Sequence, residues 1–107
     1  MTVSAREVFV AMYYILDVAY EKACSEELRQ FLSDANPFLF KDGGSADPAV
    51  FIEFEQAFDA VEHSELDEAD SLAFVQRYLE HQDPELKAAF DSVADSSNWR
   101  LALNSQQ

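Results

Sequence analysis

The chain contains only two glycines, and they are adjacent, at Gly43 and Gly44. Two of its three prolines directly follow an aspartate, at Pro48 and Pro84, and the third lies close to the glycines. An all-β domain needs turn residues at nearly every chain reversal, so this distribution disfavours that class. It predicts long regular segments and one irregular loop, at about 36–47.

Apolar residues recur at helical spacing, most clearly near the N-terminus. Two neighbouring stripes are Val8, Met12, Ile15 and Ala19, and Phe9, Tyr13, Leu16 and Tyr20. Ser4 and Glu7 have the spacing of a capping box just before them. The pattern predicts a first helix that runs to about Cys24. Because its apolar face is broad, we expect this helix to lie at the centre of the fold.

The same signals predict the remaining helices. Their expected N-caps are Ser25, Asp47, Asp67, Asp83 and either Ser96 or Ser97. The second helix should end near Ser33 or Asp34, because Pro37 disfavours helical geometry in the residue before it. The buried side of the third should carry Phe51, Phe54, Phe58 and Val61. We therefore predict an all-α, single-domain bundle over residues 1–107, with about five helices plus a short C-terminal helix and a frayed end at 104–107.

Negative charge dominates the middle of the chain. The formal net charge is −14, and the thirty-five residues between Lys41 and Arg77 carry ten carboxylates but no lysine or arginine. Such a field repels nucleic acid and anionic membranes and attracts a cationic partner. The seven basic residues are scattered singly, so we expect no direct binding to nucleic acid. A plainer explanation is that the acids only keep an apolar-rich chain in solution.

Signatures of catalysis and of metal binding are missing from the sequence. The segment from Asp42 to Asp47 has acidic ends, but the ligand order of a calcium-binding EF-hand is absent. His63 and His81 do not have the spacing of zinc ligands, and Cys24 has no cysteine or histidine neighbour. We therefore expect a protein without enzymatic activity, metal or cofactor.

The apolar run at 8–16 follows Arg6, as in a secretory signal, but Asp17 interrupts it and it is too short to span a bilayer. We interpret it as a core helix. A single cysteine excludes an internal disulfide framework and suits a reducing compartment. We expect a cytoplasmic protein that does not enter membranes, and the sequence leaves its oligomeric state open.

In size, acidity and helix pattern the chain resembles the small immunity proteins with which bacteria neutralise toxins. The most distinctive stretch, residues 36–49, resembles segments of small bacterial proteins from toxin-linked loci and contains Phe38, Leu39 and Phe40. These three side chains are expected either to fold into the core or to form an exposed patch. The resemblance implies an inhibitor that docks on a basic toxin, such as a nuclease, and it assigns no functional residue.

Candidate contact residues follow from the charge pattern. The acids expected to face the partner are Glu55, Asp59, Glu62, Glu65, Asp67, Glu68 and Asp70. The expected aromatic anchors at the centre of the interface are Tyr13, Tyr14 and Tyr20. For Asp47, Asp67 and Asp83, helix capping is the favoured role. The alternatives are a DNA-mimic regulator, a non-catalytic oligomeric or scaffold protein, and a helical enzyme or ligand carrier.

Overall fold

Local capping chemistry begins the helices largely where the sequence predicts. In a computed structural model, Ser4 and Glu7 form the capping box: the Glu7 N–H donates to Ser4 Oγ over 3.1 Å, and the Ser4 N–H donates to Glu7 Oε1 over 3.0 Å. Ser25 Oγ accepts from the Leu28 N–H at 3.1 Å. Each side chain satisfies a backbone donor that the helix itself leaves without a partner.

The structure describes residues 4–22, 25–35, 48–60 and 67–104. Within these ranges it contains six helices and no strand: α1 (Ala5–Lys22), α2 (Glu26–Ala35), α3 (Pro48–Asp59), α4 (Glu68–Gln82), α5 (Pro84–Val93) and α6 (Ser96–Asn104). The predicted all-α bundle is confirmed. The predicted loop at 36–47, with Phe38, Leu39 and Phe40, lies outside the described residues, as do Cys24, His63 and 105–107.

The start of α6 corrects one prediction. Asp95, rather than Ser96 or Ser97, is the cap: its Oδ1 accepts from the Asn98 N–H at 2.8 Å, and its carbonyl accepts from the Trp99 N–H at 2.9 Å. The carboxylate therefore begins the helix earlier than a serine cap would. One end also differs slightly, since α2 continues to Ala35. Differences of one or two residues are common at helix ends.

Helix α1 lies at the centre of the bundle, as predicted, and contacts each of the other five described helices. Its buried residues are Val8, Phe9, Val10, Ala11, Met12, Ile15, Leu16 and Ala19. Burial of so broad an apolar face supplies most of the stability of a helix of this kind.

An aromatic cluster joins α3 to α1 and α4. Phe54 is fully buried. The centroid of its ring lies 5.1 Å from that of Phe9, 5.4 Å from that of Phe74 and 5.0 Å from that of Tyr78, each time edge to face. Phe51 and Phe58 are only half-buried, although the sequence predicts that they line the buried side. They pack at the margin of the core, because the centre of the α3 contact is occupied by Phe54. Val61 lies outside the described residues.

Helix α6 is attached to the bundle by a buried hydrogen bond. The indole Nε1–H of Trp99 donates to Ser71 Oγ over 2.9 Å, and both residues are almost fully buried. The Trp99 ring also lies 5.9 Å from Phe90. A satisfied bond of this type contributes about 0.5–1.5 kcal/mol, and loss of one partner costs more. Trp99 therefore holds α6 against α4 and α5.

Candidate partner-binding surface

The described members of the predicted acidic set are all exposed. Glu55 and Asp59 lie on α3, while Asp67 and Asp70 lie at the start of α4. Glu62, Glu65 and the side chain of Glu68 lie outside the described residues. Two ion pairs neutralise acids elsewhere in the described chain, Arg29–Glu26 and Lys87–Asp91, and neither involves these four carboxylates.

The two helices that carry these four carboxylates meet at the end of α3 and the start of α4. Phe58, in the last turn of α3, lies 5.4 Å from Phe74 of α4, and Asp70 is one turn before Phe74. This contact places the end of α3 beside the first turns of α4. Asp67 also has a structural role there, because its Oδ1 accepts from the Asp70 N–H at 2.8 Å. Its predicted capping role is confirmed.

The acids of α3 do not form a single row. Glu55 and Asp59 are one turn apart on the flank that also carries Ile52, whose residue surface is 50% exposed. Glu53 lies on the other flank, in a cleft of about 380 Å³ shared with Ala57, Arg77, Tyr78 and His81. The negative charge of α3 is thus divided between two directions.

That cleft contains a buried phenol. The pKa of Tyr78 is raised to about 12. Burial of the phenol is the larger cause, and the nearby Glu53 carboxylate is the second. Tyr78 therefore stays protonated at neutral pH and can donate a hydrogen bond. His81 lies in the last turn of α4, where a positive charge would complement the helix dipole.

The three predicted aromatic anchors lie on two sides of α1. Tyr13, Tyr14 and Tyr20 are all half-buried against the core. Tyr13 and Tyr20 are two turns apart on one side, where burial and then Asp17 raise the pKa of Tyr13. Tyr14 lies on the other side, at a groove with α6. The structure therefore does not bring the three rings together in one patch.

The groove at Tyr14 is apolar and was not predicted. It lies between α1 and α6, has a volume of about 540 Å³, and is lined by Tyr14, Val18, Val93, Asn98, Leu101 and Ala102. Val18 is 40% exposed and Leu101 67% exposed. We name this feature the α1–α6 groove. Val18 belongs to neither apolar stripe of α1, and no local pattern in the sequence predicts that it lies beside Leu101.

A second unpredicted feature is an acidic groove where α2 meets the start of α5. Its volume is about 440 Å³, and Phe31 and Leu86 contribute apolar surface to it. Glu26, Glu27, Asp34 and Asp83 line it, and Glu85 lies against Glu27. We name it the α2–α5 groove. The sequence shows that both helices begin with acids, but it does not show that these two beginnings are neighbours.

Neighbouring groups change the acidity of two glutamates in this groove in opposite directions. A hydrogen bond with Glu27, followed by electrostatic repulsion from it, raises the pKa of Glu85. Arg29 donates to both carboxylate oxygens of Glu26, and this hydrogen bonding and the ion pair lower the Glu26 pKa. Five acids therefore lie close together in this region, and Arg29 is paired with one of them, Glu26.

Within residues 4–22, 25–35, 48–60 and 67–104, no group of three or more histidine, cysteine, aspartate or glutamate side chains could hold a metal ion. In the same ranges, no helix has the length and apolar character needed to cross a membrane. No protein-family model matches the chain, and no curated protein or solved structure does either.

Proposed function

We propose that this chain is an acidic helical binding protein that docks on a basic protein partner and neutralises it. The class of partner that we favour is a bacterial toxin such as a nuclease, which would make the chain an immunity-type inhibitor. The observation that carries the proposal is the exposure of carboxylates on a well-packed bundle with a net charge of −14.

Physical chemistry supports a cationic target. Complementary charge steers association and can raise on-rates by about 10–10³-fold. Because a nuclease must hold phosphate groups, its cleft is basic, and an acidic protein can cover it. The packed aromatic core beneath the acids favours binding, because a preformed surface loses less conformational entropy when it binds a partner. The resemblance of residues 36–49 to segments of small bacterial proteins from toxin-linked loci is the reason for preferring a toxin.

The first test is capture from a lysate of the native host. The immobilised protein is expected to retain one basic protein at about 50 mM salt and to release it at about 0.5 M, because exposed charges are screened over a few ångströms at high salt. The captured protein is then purified, and its affinity and activity are measured with and without this chain. Retention that does not depend on salt, or a captured enzyme that remains fully active, would contradict the proposal.

Matched charge variants then locate the contact. One variant combines Glu55→Gln, Asp59→Asn, Asp67→Asn and Asp70→Asn, in which asparagine preserves the cap at position 67. The control removes the same number of charges from the α2–α5 groove through Glu27→Gln, Asp34→Asn, Asp83→Asn and Glu85→Gln. We expect the first variant to lose about tenfold or more in association rate and the control to lose less. Equal losses would mean that overall charge, rather than these four acids of α3 and α4, attracts the partner.

A second candidate function is a non-catalytic oligomeric or scaffold protein. The observation that favours it is the exposed apolar surface of Val18 and Leu101 in the α1–α6 groove. Light scattering across a concentration series distinguishes the two functions. A stable dimer without any partner would support the scaffold, whereas a monomer would leave the binding protein as the better explanation.

A further inference from the structure

The α1–α6 groove has the shape of a binding groove for another helix. Tyr14 and Val18 are four residues apart on α1, and Asn98 lies three residues before Leu101 and four before Ala102 on α6. Side chains three or four residues apart form ridges along a helix, and two packed helices leave a groove between their ridges. Amphipathic helices bind such grooves through their apolar faces.

The border of this groove is mainly acidic. Asp17 and Glu21, both exposed, lie three residues after Tyr14 and Val18 and are therefore their neighbours on α1. Asp95, also exposed, accepts a hydrogen bond from the backbone of Asn98, which lines the groove. Lys22, one turn after Val18, contributes a positive charge at the end of α1.

The nearest charge on α6 lies on the other side of that helix. Arg100 precedes Leu101, but it lines a different cavity together with Leu72 and Trp99. Three carboxylates and one lysine therefore border the groove, and the favoured occupant carries positive charge. A second copy of this chain would bring another −14 charge to the contact, which electrostatic repulsion opposes.

We infer that the α1–α6 groove binds a basic amphipathic helix of the partner, with the apolar face of that helix over Leu101 and Val18. This inference rests on the proposed function and names the segment of the partner that this groove takes. Leu101 and Val18 supply apolar contact, while Asp17, Glu21 and Asp95 select lysine and arginine at the border. Tyr14 supplies the aromatic contact typical of the centre of an interface.

The test uses the full chain and a synthetic helical peptide of about 18 residues, with leucine along one face and lysine elsewhere. Binding is measured at about 0.15 M salt, where long-range attraction is screened. Two further peptides serve as probes: one has the same composition in scrambled order, and the other has glutamate in place of lysine. We expect the Leu/Lys helix to bind at least about tenfold more tightly than either.

Leu101→Ser and Ile52→Ser form a matched pair of variants. Both replace an exposed apolar side chain on a helix, but Leu101 lies in the groove and Ile52 lies beside Glu55 and Asp59. We expect Leu101→Ser to weaken peptide binding about tenfold or more and Ile52→Ser to change it less than about twofold. Val18→Ser should weaken it as well, and circular dichroism should show that all three variants stay folded.

Several results would overturn the inference. One is equal binding of the lysine and glutamate peptides, and another is a loss of binding in Ile52→Ser but not in Leu101→Ser. A dimer that dissociates in Leu101→Ser would identify a second copy as the occupant. If the captured basic protein binds Leu101→Ser normally, the proposed function stands and this inference fails. If no basic protein is captured at all, the proposed function fails, whatever the peptide does.

Discussion

The two unpredicted grooves differ in what creates them. The α2–α5 groove is acidic because helix N-termini lie in it, and an acid there can cap a helix or complement its dipole. Asp83 shows this, since its Oδ1 accepts from the Glu85 N–H at 2.9 Å. The α1–α6 groove exposes Val18 and Leu101 within their helices, where no cap or turn requires them. Acidity is therefore partly a structural requirement here, whereas the apolar exposure is not.

The largest expected effect concerns the attachment of α6, which forms one wall of the α1–α6 groove. Ser71→Ala leaves the buried indole N–H of Trp99 without its acceptor and should cost about 1–3 kcal/mol in the free energy of unfolding. Trp99→Phe should cost more, about 2–4 kcal/mol, because a cavity is added to the lost bond. Urea denaturation followed by circular dichroism measures both.

If the two grooves depend on different contacts, Ser71→Ala and Trp99→Phe should destabilise the helices of the α1–α6 groove and of the α2–α5 groove unequally. Hydrogen exchange should show a greater loss of protection in α6 than in α2, because Trp99 belongs to α6 and its contacts with Ser71 and Phe90 involve α4 and α5 but not α2. Leu101→Ser is the control and should change stability by less than about 0.5 kcal/mol, since the side chain is exposed. Equal loss of protection in both helices would mean that the bundle unfolds as one unit.

A smaller effect tests the structural role of an acid in the α2–α5 groove. Asp83→Ala removes the cap of α5 and should cost about 0.5–2 kcal/mol, while Asp83→Asn keeps a capping oxygen and should cost less. Chemical denaturation of both variants at neutral pH provides the measurement. Were Asp83→Ala to increase stability, relief of repulsion among the acids would outweigh the cap, and this acid would not be a structural requirement.

The smallest expected effect is a pH dependence with opposite signs at two glutamates of the same groove. The pKa of Glu85 is raised, so the folded chain binds that proton more tightly than the unfolded chain. Its contribution to stability is present in acid and is lost as the pH rises through the raised pKa. The pKa of Glu26 is lowered, so its contribution is present at neutral pH and is lost as the pH falls through the lowered pKa.

Thermal unfolding of Glu85→Gln and Glu26→Gln across the acidic range checks these signs. Relative to the unsubstituted chain, Glu85→Gln should be more stable at neutral pH than in acid, because it removes repulsion with Glu27 only where both groups are charged. Glu26→Gln should show the reverse, since the ion pair with Arg29 is lost. Parallel profiles for the two variants would show that their local partners do not control their titration.

The helices themselves could largely be predicted from local patterns. The capping box of Ser4 and Glu7 and the caps at Ser25, Asp67 and Asp83 are all present. Asp95 was missed in favour of the serines after it, since both residue types are good caps and only geometry separates them. The candidate contact acids are exposed where the structure describes them, but their role in binding stays a prediction.

The sequence by itself determined the helical class, most helix starts and the excess of negative charge, because capping and apolar spacing act between residues at most about four positions apart. Only the tertiary structure decided that Glu27 lies against Glu85 and that Val18 and Leu101 share a groove. Those outcomes depend on how distant helices pack around α1, where the shapes and volumes of side chains from separate segments must fit together.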